Sequence, residues 1–230
     1  MKTKRHFELT DEFITTESGI KLYRIKCTKT IPGIVEAGTL GGLIEKPENL
    51  SGNAWVYDNA QVYDDAQVSG DARVSGDARV YGNARVSGNA RVSGDARVCG
   101  NARVYGNARV YGDALVSGNA QVYGNALVSG NSQVYGDALV SGNAWVYGNA
   151  DYCCFQSFGS EGRTTTAFRE KDGNIKVSCG CFSGTLPEFE KRVAETHGDS
   201  RYGREYKAMV EMIKIKFIDV LHNGASCIIY

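Results

Sequence analysis

From Ala54 to Ala150 the chain repeats one pattern of apolar and polar positions with a period of six. A small residue stands at each of seventeen positions, alanine at all but Ser132. A valine follows the first sixteen of them two residues later, from Val56 to Val146, and Leu50 and Ile44 extend that column backwards. The unit reads Ala-x-Val-(Ser/Tyr)-Gly-(Asn/Asp). Residues two apart in a strand share a face, so the alanines and valines line an interior while x and Ser/Tyr point outward. Alanine fits a tight corner, and branched valine fills a flat wall. Glycine followed by Asn or Asp tolerates the positive φ of a turn. A short strand and a turn every six residues predict a coil with three flat sides and 18 residues per coil. The repeat then makes between five and six coils, a prism about 27 Å long at roughly 4.8 Å per stacked strand.

The flanks follow other patterns. Residues 1–49 read as a cap over the open end of the apolar prism, which a repeat array needs. Ile20, Leu22 and Ile25 predict a strand there, and Ala37–Gly42 reads as a glycine-rich turn region that lacks the GxGxxG spacing of a phosphate loop. Residues 151–230 predict a small α+β domain. YCCFQSF and TTTAFRE read as strands, Lys171–Asn174 as a hairpin turn, and IKVSCGCF as the returning strand. Thr185, Pro187 and Glu188 form the start signal of a helix running to about Thr196. A second helix is expected from about Arg201 to Phe217.

The outward columns add chemistry. The x column carries seven consecutive arginines, Arg73, Arg79, Arg85, Arg91, Arg97, Arg103 and Arg109, which predict a belt around all three sides. Outward tyrosines such as Tyr111 share a side with them, and Tyr beside Arg is a good interface composition. Leu115, Leu127, Leu139 and Trp145 in the same column are expected to be exposed on an isolated prism, as a partner surface or under a terminal domain folding back. Against the belt stand eight aspartates within residues 51–150, and the whole chain balances 26 basic with 26 acidic residues. That charge does not predict a nucleic-acid binder. No apolar run approaches a membrane span, and the opening residues lack a signal-peptide core, so a cytoplasmic protein with reduced thiols is expected.

The hexads resemble the hexapeptide-repeat, left-handed β-helix superfamily. The resemblance implies a mainly β protein, a left-handed parallel β-helix, and a homotrimer. Acyltransferases of that superfamily use a histidine base, and its carbonic anhydrases bind metal through three histidines. This chain has His6, His197 and His222 only, none of them within the repeats, so neither chemistry is expected on the prism. Two stretches, YRIKCTKTIPGIVEAGTLGGLIEKPENLSGNAWVYDNAQV and GSEGRTTTAFREKDGNIKVSCGCFSGTLPEFEKRVAETHGD, resemble uncharacterised hexapeptide-repeat proteins of phages and prophages of gut bacteria.

Several candidates arise outside the repeat. Ser183, Gly184 and Thr185 sit at a helix start, where free N–H groups favour an anion, with Arg163, Thr164 and Thr165 on a neighbouring strand as further donors. A second candidate pocket uses Arg91, Arg109 and Tyr111 between prisms, guanidinium for phosphate and a ring for a base. Cys153, Cys154, Cys179, Cys181 and His197 are soft-ligand types, but Cys-x-Cys is not zinc-knuckle spacing. No metal or cofactor is expected. Three functions compete: a non-enzymatic, phage-borne protein that sequesters a small phosphorylated, nucleotide-like immune signal; a structural stalk; and an enzyme with Cys181 as nucleophile and His197 as base.

Overall fold

A computed structural model describes residues 5–218 of the chain. His222, Cys227 and the residues that open the chain lie outside them. Three N-terminal strands, β1 (Phe7–Thr15), β2 (Lys21–Cys27) and β3 (Leu40–Ile44), lead into sixteen two-residue strands, β4 (Trp55–Val56) through β19 (Trp145–Val146). Four longer strands follow, β20 (Tyr152–Phe158), β21 (Arg163–Arg169), β22 (Ile175–Cys179) and β23 (Phe182–Thr185), then α1 (Leu186–His197) and α2 (Arg201–Ile218). The chain is a mainly β protein with a parallel β-solenoid, N-terminal strands and a small C-terminal α+β region. Neither helix is long and apolar enough to cross a membrane.

Each short strand from β4 to β16 pairs in parallel with the strand 18 residues later. Arg73, Arg91 and Arg109 fall in register on one side, Arg79 and Arg97 on the second, Arg85 and Arg103 on the third. Every alanine from Ala54 to Ala144 and every valine from Val56 to Val146 is buried. Ser132, the exception in the alanine column, is buried too; its hydroxyl lies 2.5 Å from Ser129 O and 3.1 Å from Val146 O. The turn glycines have φ between +60° and +72°. At Gly70 a β-carbon would also meet the backbone N of Gly88 at 3.0 Å, so the close stacking of coils demands glycine as much as the turn does. Asp58 and Asp64 take that position in the first coil at φ 54° and 57°, where each carboxylate accepts a bond from the glycine N–H one coil on, Gly76 and Gly82, at 3.0 Å. Polar ladders run along the corners, Asn89 to Asn107 to Asn125 among them.

The hydrogen-bond ladder stops at both ends of the solenoid, and what lies there must complete it. Arg91 N–H donates to Ala108 O of the following coil at 2.9 Å, and the parallel register returns bonds from that coil. The outer edges of the first and last coils are left with unpaired backbone groups, and buried groups of either kind need partners. Donors serve the first coil: His6 Nε2 to Ala54 O (3.1 Å), Arg24 Nη1 to Asp58 O (3.1 Å) and Asn49 Nδ2 to Ala66 O (2.9 Å). Acceptors serve the last: Thr166 Oγ1 for Leu139 N–H (3.1 Å), Asn149 Oδ1 for Gln133 N–H (2.8 Å) and Asp151 Oδ2 for Tyr147 N–H (3.0 Å). Tyr152 and Phe168 close the apolar interior at that end.

Three sequence expectations are corrected. Gly41 and Gly42 belong to strand β3 rather than to a turn; a β-carbon on Gly41 would stand 2.6 Å from Val56 O, and one on Gly42 2.5 Å from Val56 Cγ1. Their glycine character comes from pressing a strand onto the solenoid end. IKVSCGCF is a hairpin, broken at Gly180 (φ 58°), not one strand. Leu115, Leu127, Leu139 and Trp145 are half-buried rather than exposed, and the first x residue, Trp55, is fully buried. The terminal regions cover the two tryptophans, with His6 beside Trp55 (centroids 5.8 Å apart) and Lys171 over Trp145 (5.5 Å).

Candidate functional site

The hairpin β22–β23 and the helix pair line an open cavity of about 740 Å3. Arg163 opens β21 at its rim, and the glycine at 180 leaves room for that side chain, because a β-carbon there would collide with the guanidinium. Arg163 Nη1 donates to Cys181 Sγ at 3.8 Å, and Thr165 Oγ1 donates to Cys179 Sγ at 3.2 Å. On the helix side, Phe189, Arg192, Val193 and His197 recur at helical spacing and face the sheet. The His197 ring stacks on Tyr206 of α2, centroids 5.3 Å apart and planes 27° apart. Phe182 lies 5.3 Å from Phe189, so much of the wall is aromatic. Burial pushes the Tyr206 hydroxyl up to about 12, which keeps it protonated at neutral pH, 4.0 Å from Cys179 Sγ.

The charges balance but not all are engaged. Lys191 pairs with Glu195 at 3.9 Å. Glu188 turns back onto Thr185, accepting from its N–H at 2.7 Å and its hydroxyl at 3.0 Å, and these bonds hold the carboxyl below its usual range. Arg163, Arg192 and Glu161 make no ion pair among the described residues, and Arg163 is held only by its bond to Cys181 Sγ.

The predicted site residues divide accordingly. Arg163 and Ser183 line the cavity; Thr164, Thr165, Gly184 and Thr185 do not. Ser183, Gly184 and Thr185 lie in strand β23, paired with Ser178, Val177 and Lys176, and the Glu188 carboxylate stands at the helix start where a bound anion was expected. Cys181 and His197 line the same cavity, but no hydrogen bond joins them: Cys181 answers to Arg163 and His197 to Tyr206. Cys153 and Cys154 face opposite ways, one into the C-terminal core and one against the solenoid core. Burial raises both thiols, Cys153 to about 11. Among the described residues no group of three His, Cys, Asp or Glu side chains is arranged to hold a metal. Phe182, Arg192 and Tyr206 went unforeseen, although the spacing of Phe189, Arg192, Val193 and His197 marked one helical face.

The belt residues lie elsewhere. Arg91 lines a groove of about 1180 Å3 between the solenoid and the loop at Lys29–Ile34; Arg109 and Tyr111 sit further along the same side, exposed and outside it.

Comparison with known proteins bears on the coils. A family model described as the YdcK beta solenoid repeat matches residues 66–82, 78–94, 84–100, 96–109, 108–121, 120–135 and 132–148. No curated protein matches the chain. All seven stretches fall on the parallel two-residue strands and their turns, and with that geometry they identify the chain as a β-solenoid repeat protein.

Proposed function

We propose that the chain is a non-enzymatic binding protein whose C-terminal cavity holds a small phosphorylated, nucleotide-like ligand. The observation that carries this reading is the pairing, in one cavity, of guanidiniums that have no carboxylate partner among the described residues with an aromatic wall. Arg163 and Arg192 supply bidentate donors for a phosphate, and Phe182 with the His197–Tyr206 stack offers ring faces to a base. The volume of about 740 Å3 lies within the range of about 300–1,000 Å3 usual for small-molecule sites. Catalysis is not part of the proposal, since among the described residues no base is hydrogen-bonded to Cys181. The resemblance to phage and prophage proteins extends the reading: the ligand is a nucleotide signal of bacterial immunity, and holding it in the host cytoplasm keeps it from its receptor. Homotrimer assembly, which the resemblance implies, belongs to the same proposal.

The test is ligand recovery. The folded protein is incubated with extract of bacteria whose nucleotide signalling is active, washed and denatured, and released molecules are identified by mass spectrometry. An intact phosphorylated nucleotide in stoichiometric amount, lost in Arg163→Gln, is the expected result. A converted product would instead make the cavity an active site, and an empty, folded protein would make the chain a spacer.

A further inference from the structure

The groove at the N-terminal end has a different composition. Its floor is the solenoid side of Arg73 and Arg91 with the corner residues Asn53 and Asn89, and its overhanging wall is the loop from Lys29 to Ile34. The loop is fixed onto the solenoid: Arg73 Nη2 donates to Gly33 O at 2.6 Å, and the Tyr57 hydroxyl to Ile34 O at 2.6 Å. The groove is therefore a built feature.

Among the described residues four cations line it, Arg5, Lys29, Arg73 and Arg91, against two carboxylates, Glu48 and Asp71. Arg5 is paired with Glu48 at 2.7 Å, and Asp71 accepts from Asn53 at 2.9 Å. Lys29 and Arg91 make no ion pair or side-chain hydrogen bond among the described residues. Arg73 and Arg91 stack in register on adjacent strands, about 4.8 Å apart at the backbone, and like charges so placed repel. An anion between Lys29 and Arg91 relieves that repulsion.

The remaining lining selects among anions. Ser51, Asn53, Gln67 and Asn89 offer donors and acceptors suited to hydroxyls, while Ile31 and Pro32 offer a small apolar face. Among the described residues no exposed aromatic ring lines the groove: His6 and Phe7 are buried, and Tyr57, beneath the loop, spends its hydroxyl on Ile34. A nucleobase finds no open aromatic face there. At about 1180 Å3 the groove also exceeds the about 300–1,000 Å3 of single small-molecule pockets. We infer that this groove binds an acidic oligosaccharide of two or three sugars, its carboxylates or sulfates between Lys29 and Arg91 and its hydroxyls on the amide side chains. This site is independent of the C-terminal cavity, and either can fail without the other.

Calorimetric titration tests it with two probes, a galacturonate trisaccharide and a sulfated disaccharide, with an oligothymidylate of equal charge as competitor. Saturable binding of one acidic saccharide is expected, weakened about tenfold or more by Arg91→Gln and by Lys29→Gln. Arg103→Gln, which removes the same charge from another side, should leave it unchanged. The two saccharides distinguish carboxylate from sulfate as the recognised group. Failure of both to bind, equal binding of the oligothymidylate, or equal weakening by Arg103→Gln would each overturn the inference.

Discussion

A β-carbon on Gly41 would stand 2.7 Å from Cζ2 of Trp55, a ring that no solvent reaches. The backbone at Gly41 is not left-handed, so space alone demands glycine there. Gly41→Ala is expected to destabilise the protein by about 1–3 kcal/mol through overpacking, read as a lowered Tm. Gly173→Ala, at a hairpin with φ 86° and open space around it, should cost only the conformational strain, about 1 kcal/mol. A smaller loss at Gly41 than at Gly173 would mean that the cap does not press on the solenoid.

Val92→Asp sets a carboxylate among the buried valines of the middle coils, where neighbours 18 residues away are also valine. Burying a charge without a partner costs several kcal/mol. The variant is expected to be insoluble or unfolded by circular dichroism. A soluble, cooperatively folding Val92→Asp would reverse the assignment of inside and outside.

The Ala/Val columns made the solenoid legible, because a period of six with an apolar pair two apart admits one inside face. The capping box of α1 was legible too, from Thr185 and Glu188. The ends were not. β1 carries a mixed pattern, and β3 hides behind two glycines whose role is set by contact with Val56 and Trp55, far away in sequence. The cavity was half legible. Arg163, Ser183, Cys181 and His197 were each singled out, but for three separate chemistries, and only the turn at Gly180 brings them to one rim.

Glu188 ties stability to pH in a definite direction. Its folded-state pKa lies below the ordinary value of 4.5, through bonds from the Thr185 N–H and hydroxyl. The contribution is therefore fully present above pH 4.5 and is lost as pH falls through the lower, folded pKa. Glu188→Gln should be less stable than the parent at pH 7, and the gap should close in acid. A gap that persists unchanged at pH 2 would show that the charge is not what caps α1.

Thiol exposure sets an order of alkylation. Cys181 is exposed, whereas Cys27 is buried and the Cys153 thiol is pushed up to about 11. Iodoacetamide at pH 8 should label Cys181 well before Cys27, Cys153 and Cys154, as read by peptide mass mapping. Earlier labelling of Cys153 would mean that β20 does not pack between the two cores.

Asp58 holds a left-handed backbone and a bond to Gly76 N–H at once. Asp58→Ala loses the bond and keeps the strain, so it should cost more than Asp58→Gly, which loses the bond and relaxes the strain. Thermal unfolding of the two variants gives the order.

The in-register 18-residue coil makes the molecule behave as a threaded bolt whose length and heading are set separately. Adding one whole coil moves the two ends about 4.8 Å further apart and leaves their relative bearing unchanged. Adding a single hexad turns one end by a third of a revolution against the other. Distance and azimuth between whatever the two ends hold are thus written in a count of hexads, and a lineage can reset either one by duplicating six codons or eighteen.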